Sequence, residues 1–167
     1  ISDLTLFPAF NDAELCLMDI NEYHLEKVTE CVERIVRERK TSNKVIPTTS
    51  REEALKDANG VLITVFNGDV DIWKHEILIP KKYGVDINVG DTRSVSGIFR
   101  ALRNIPLMLD ICKDIEECCP RAVFLNYTNP MGILSGYMQR YTGVNTIGLC
   151  HSVQVCSEGL LKGLGME

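Results

Sequence analysis

The sequence predicts an α/β domain with a parallel sheet and right-handed crossover connections. Two observations carry that prediction. The run VLITVF (61–66) is β-branched or apolar throughout, as suits a buried strand. Short apolar runs also alternate along the chain with segments of helical spacing.

ELCLMDI (14–20) is a short apolar run ending in an acidic residue and reads as a buried parallel strand. In NEYHLEKVTECVERIVRERK (21–40), Leu25, Val28, Val32, Ile35 and Val36 are spaced for one helix face. KVIPTT (44–49) is a weaker strand, and Pro47 places it at an edge. REEALKDA (51–58) is a short helix capped by Ser50, with Glu53 three residues on in a capping-box pattern. After VLITVF, DIWKHEILIPKKYG reads as helix and NVGDTRSVSG as loop. SGIFRALRNIPLMLDICKDIEECCP (96–120) is a long helix stopped by Pro120, with Pro106 expected to kink or split it. AVFLNYT (122–128) and VNTIGLC (144–150) are strands around the helix NPMGILSGYMQRYTG (129–143), and SVQVCSEGLLKGLG (152–165) begins a last helix. No repeat, low-complexity segment or linker divides residues 1–167, so one domain is expected.

The net charge of −5 and pI near 5.3 leave no basic stripe for nucleic acid. No apolar run is long enough to cross a bilayer, no signal peptide opens the chain, and a membrane partner is not expected. Seven cysteines form no CxxC pair and no framework, which fits free thiols in a reducing, cytoplasmic compartment. The chain starts at Ile1 without an initiator Met, as a piece of something longer would.

Three places offer chemistry. Asp19 ends a strand and precedes a helix. In a doubly wound dinucleotide-binding domain an acidic residue there bonds the adenosine ribose, though Asp is also a good helix cap and Asn21 stands nearby. The glycine fingerprint that should precede it is absent. On this reading the first strand and phosphate loop lie before Ile1, and ISDLTLFPAF is the tail of the first helix. NYTNP (126–130) lies at a strand's carboxyl end, where open α/β sheets bind ligands. Asn126 and Asn129 offer amides to sugar or ribose hydroxyls, Pro130 suits the first position of a helix, and Asn129 alone could equally be its cap. Cys150 and His151 lie at another strand's carboxyl end, where a helix N-terminus favours thiolate. Adjacent residues in extended chain face opposite sides, so the two cannot easily share one metal. A bare Cys-His dipeptide is more often packed core. Arg93, Arg100 and Arg103 could clamp a ligand, but solvated helix-face arginines are commoner. His24 and His75 read as surface residues, and Cys118 and Cys119 as structural.

Together LMDI, GDTRSVSGIFRALRNIP, NYTNPM and GLCHSVQ resemble the amino-terminal half of glycoside hydrolase family 4, over nearly the whole chain. The Cys-His form resembles its α-galactosidase, α-glucosidase and α-galacturonidase branch. The resemblance implies a Rossmann-like, doubly wound NAD-binding domain lacking its first strand and phosphate loop, with a downstream substrate and oligomerisation domain. It implies NAD⁺ and a divalent metal, usually Mn²⁺, in place of the usual pair of carboxylates. The implied chemistry is hydride transfer from sugar C3, acidification of the C2 proton by the metal-polarised ketone, its removal by a tyrosine, elimination at C1, addition of water and return of the hydride. Carried over by motif, Cys150 is a metal ligand, Asn129 binds substrate hydroxyls, His151 is the proton donor to the leaving group, Asp19 holds the adenosine ribose and Asn126 joins the cofactor site. The expected partners are a small-molecule glycoside and further copies of the chain, as dimer or tetramer.

The chain departs from the family pattern in several places. The phosphate loop and first strand are missing, so two strands should flank a gap with exposed edges. The second metal ligand, a histidine, and the tyrosine base belong beyond residue 167. The loop that usually reads T-x-G-P-G-G is TRSVSG (92–97). Residues 1–167 alone are therefore expected to be inactive. Two other readings compete: an NAD-dependent dehydrogenase of the lactate or malate type without metal, and a binding remnant that has lost its site. The first would need a His–Asp pair that nothing here resembles and would leave Cys150 without a role.

Overall fold

A computed structural model describes residues 1–87 and 92–166. Five strands and six α-helices alternate through them: β1 (Glu14–Met18), α1 (Glu22–Arg39), β2 (Lys44–Thr48), α2 (Arg51–Leu55), β3 (Gly60–Ile63), α3 (Val70–Lys81), α4 (Ser94–Cys118), β4 (Val123–Asn126), α5 (Met131–Tyr141), β5 (Asn145–Gly148) and α6 (His151–Gly163). Every strand pairing is parallel. Among the described residues the strands form two sheets, β1-β2 and β3-β4-β5. The chain divides into two compact units, Ile1–Asp57 and Ala58–Glu167.

In the first unit α1 begins at Asn21, whose side chain accepts from the His24 N–H, and ends on Lys40 in the left-handed region. Leu17, Leu25 and Val32 form its buried core, with Ile1, Leu15, Val36 and Val45 packed against it. Val28 stays exposed at 46%, so the core face of α1 is narrower than its spacing predicts. β1 is likewise not buried throughout: Leu17 faces inward, while Cys16 is exposed. The capping box of α2 is relayed. Ser50 Oγ accepts from the Glu53 N–H, but the Glu53 carboxylate takes the Thr48 hydroxyl, and Thr48 Oγ1 in turn accepts the Ser50 N–H. The expected helix tail at the start is instead two 3₁₀ turns, Leu4–Leu6 and Pro8–Phe10, split where Phe7 goes extended before Pro8.

The second unit packs around β4 and α4. Phe124, Cys112, Leu134 and Met138 are fully buried, and Met108 and Ile115 nearly so. Three sequence expectations change here. VLITVF yields a strand only to Ile63, because beyond it the Val65 N–H bonds the Thr128 hydroxyl instead of a neighbouring strand. SVSG, expected in a loop, is the first turn of α4; the rest of that loop expectation lies partly outside the described residues. Pro106 does not split α4, which runs 25 residues as one helix. Pro106 and Leu102 are both exposed, so water can satisfy the Leu102 carbonyl that the missing N–H frees. Pro120 does lie just past the helix end, as expected. No helix among the described residues is long and apolar enough to cross a membrane.

Candidate active site at the carboxyl ends of β3, β4 and β5

The register brings Ile63, Asn126 and Gly148 side by side, so three strands end on one edge of the second sheet. The chain leaving each is held to the next. The Tyr127 N–H donates to the Ile63 carbonyl at 2.9 Å and the Leu149 N–H to the Asn126 carbonyl at 2.9 Å. These bonds set NYTNP and LCH at the position where parallel sheets present ligand sites.

Asn126 is fully buried and turned inward. Its Nδ2 donates to the Thr128 carbonyl (3.3 Å) and to Ser135 Oγ (3.0 Å), while its Oδ1 accepts the Thr128 N–H (2.8 Å). The expected cofactor contact by Asn126 therefore meets an amide already spent on its own loop and on α5. What Asn126 does is shape NYTNP. Asn129, by contrast, is exposed. Its Oδ1 accepts the Met131 N–H at 3.2 Å, and its carbonyl accepts from Asn104 Nδ2 at 3.0 Å. Asn129 thus stands just ahead of the helix cap, Pro130, with a cis Asn129–Pro130 bond between them. Its NH₂ group and the second lone pair of its oxygen are left to offer a ligand.

Gly148 explains why GLCHSVQ opens on glycine. A Cβ there would come within 2.4 Å of the Met131 sulfur and 2.7 Å of Ser135 Oγ. Ser135 is the residue that holds Asn126, so the two motifs interlock through this close approach.

Cys150 is the residue before α6, in extended conformation (φ −146°, ψ 117°), and His151 opens the helix. Both side chains are exposed. The Ser152 hydroxyl, and after it the Ser152 N–H, hold the Cys150 thiol below its ordinary value; slight burial opposes this and the Val153 N–H adds a smaller pull. These donors at the start of α6 draw the sulfur toward thiolate. A low, exposed thiol suits a metal ligand. It can be only one of a set, because no group of three His, Cys, Asp or Glu side chains converges among the described residues. All seven cysteines are free.

Asp19 lies in the first unit, just past β1. Its Oδ1 accepts the Asn21 N–H at 2.8 Å, and Asn21, not Asp19, caps α1. The arginines resolve differently from their expectation. Arg93 is exposed, but Arg100 is buried, its Nε 3.0 Å from Glu76 Oε2 and its guanidinium 4.8 Å above the Trp73 ring. Arg103 pairs with the other Glu76 oxygen, and its Nε donates to the Asn67 carbonyl. They bind α3 and the segment after β3 to α4. His24 and His75 are exposed, as expected. Asn104 escaped sequence reasoning; its signal was an amide inside the apolar stripe Ala101, Met108, Ile111 of one helix.

The profile of the Family 4 glycosyl hydrolase matches residues 1–166. The chain is 43% identical over 168 residues to an alpha-galactosidase of Bacillus subtilis, covering all of this chain and 39% of that protein. An alpha-galactosidase of Rhizobium meliloti is 40% identical over 165 residues, covering 98% of this chain and 34% of that one. The chain thus spans well under half the length of the curated relatives it matches. Among solved structures, the 6-phospho-beta glucosidase from Thermotoga maritima with manganese, NAD⁺ and glucose-6-phosphate is 26% identical and superposes with a TM-score of 0.79 over 93% of this chain and 37% of that one. The fold is the Rossmann-like one of these neighbours, and the chain belongs to family 4 of the glycosyl hydrolases.

Proposed function

We propose that this chain is the NAD⁺-binding part of an enzyme that hydrolyses α-glycosides, with α-galactosides the first substrates to test. The observation that carries the reading is GLCHSVQ at the carboxyl edge of the sheet, in a chain 43% identical to an alpha-galactosidase. When bound, NAD⁺ would supply reversible hydride acceptance at sugar C3, and a divalent metal such as Mn²⁺ the Lewis acidity that makes the C2 proton removable.

The chain's own residues divide the remaining work. Cys150, exposed and inclined to thiolate, would hold the metal. Asn129 would hydrogen-bond sugar hydroxyls through the NH₂ group left to it. His151, on the next residue and exposed, would hand a proton to the departing glycosidic oxygen. Asp19 would accept bonds from the adenosine ribose with the carboxylate that also steadies Asn21. Asn126 would serve the cofactor indirectly, by holding the loop between β4 and α5. Seven free thiols suit a reducing compartment, and we place the enzyme in the cytoplasm.

Manganese titration of the whole enzyme against its Cys150→Ser variant tests the ligand assignment. Loss of a thiolate ligand should weaken Mn²⁺ binding by at least ~10-fold. Equal affinities would sink it.

A further inference from the structure

We infer that Asn104 is a positioning residue for Asn129; the inference rests on the glycosidase reading above and deepens it. Asn104 is 3% exposed on the inner face of α4, between Ala101 and Met108, which are 2% and 1% exposed. Asn is a poor helix former, and a buried amide has to be repaid in hydrogen bonds. This one is repaid only in part. Its Nδ2 donates to the Asn129 carbonyl at 3.0 Å, while its Oδ1 is buried with no partner among the described residues. An apolar residue would suit that face better, so the amide is a cost to the fold whose return is a single bond. That bond ends on the backbone of the residue proposed to read the substrate.

Its consequence is geometric. The other bonds of the loop hold Asn126, Tyr127 and Thr128: Thr128 N–H to Asn126, Val65 N–H to the Thr128 hydroxyl, Tyr127 N–H to Ile63. Among the described residues Asn129 is held by two, the Asn104 amide on its carbonyl and the Met131 N–H on its Oδ1. One fixes the backbone plane and the other the side-chain oxygen; together they aim the Asn129 NH₂ group, which can donate to a hydroxyl. Removing the first lets the plane turn and takes the NH₂ group away from its target.

A double-mutant cycle in the whole enzyme, with NAD⁺ and Mn²⁺ saturating and p-nitrophenyl α-galactoside as probe, separates positioning from mere structure. Asn104→Leu should raise KM roughly 5- to 20-fold with kcat within about twofold, since an interaction used equally in ground and transition states is lost. In an Asn129→Ala background the same substitution should change KM by less than about twofold, because the group it positions is gone. Equal KM effects in both backgrounds, or no KM effect in the first, overturn the inference. If the Asn104→Leu enzyme does not fold, Asn104→Asp repeats the cycle at neutral pH with the shape kept and the donor lost. An active wild type with an additive cycle refutes only Asn104; a wild type without α-glycosidase activity refutes the functional reading and this inference with it.

Discussion

Glu76 is a buried carboxylate in the second unit, and its removal should cost more than a surface substitution. Its side chain is 5% exposed, Arg100 is 6% and Arg103 23%. Each carboxylate oxygen meets one guanidinium, and Arg100 also lies over Trp73. Glu76→Ala strips from both arginines the carboxylate that each guanidinium meets in this largely dry setting. Breaking one side of a buried pair costs about 3–5 kcal/mol. Glu76→Gln keeps the shape and one acceptor and should cost less, about 1–3 kcal/mol. At roughly 2–4 °C per kcal/mol for a chain of this size, the alanine variant should melt about 6–20 °C below wild type. Urea denaturation followed by circular dichroism reads both. In a third variant, replacing Glu76, Arg100 and Arg103 together with apolar residues should recover part of the loss, because neither guanidinium is then buried without the Glu76 carboxylate. An alanine variant within about 1 kcal/mol of wild type, or a triple variant worse than Glu76→Ala, would show that Glu76 does not anchor the two arginines.

Iodoacetamide labelling of the native chain should modify Cys150 early and Cys112 last. The Cys150 thiol is exposed and held low, so its rate should climb through a midpoint below that of an ordinary thiol as pH rises. Cys112 is fully buried and pushed up to about 11, burial outweighing the help of the Thr142 hydroxyl, and should resist until the chain unfolds. Ser152→Ala should move the Cys150 midpoint upward; an unmoved midpoint would show that Ser152 is not the cause. Gly148→Ala should destabilise the chain by about 1–3 kcal/mol in urea, because the new methyl meets Met131 and Ser135. A change within about 0.5 kcal/mol would mean that the two motifs do not interlock there.

How far the fold was legible follows from where partners come from. All five strands and six helices stand close to where alternation and apolar spacing put them, since these signals are local. The errors lie where a distant partner decides. VLITVF ends at Ile63 because the Thr128 hydroxyl, 63 residues on, takes the Val65 N–H. Pro106 sits inside an unbroken helix because its face is wet, which spacing alone does not reveal. Arg100 and Arg103 read as solvated until Glu76, on another helix, claims them. The site was legible as motifs at strand ends, but the roles within it were not. Asn126 and Asn129 look alike in NYTNP; only burial separates the residue that shapes the loop from the one that can face a ligand. Asn104 is invisible without the bond it makes across 25 residues.

The enzyme carrying this chain is proposed to cleave α-glycosides through transient oxidation at sugar C3. Hydrolysis of an α-galactoside in D₂O, with the product examined by mass spectrometry and NMR, tests it most directly. Turnover is expected only with both NAD⁺ and a divalent metal, with deuterium at C2 of the released sugar. Turnover after NAD⁺ is stripped away, with C2 still carrying its original hydrogen, would contradict it.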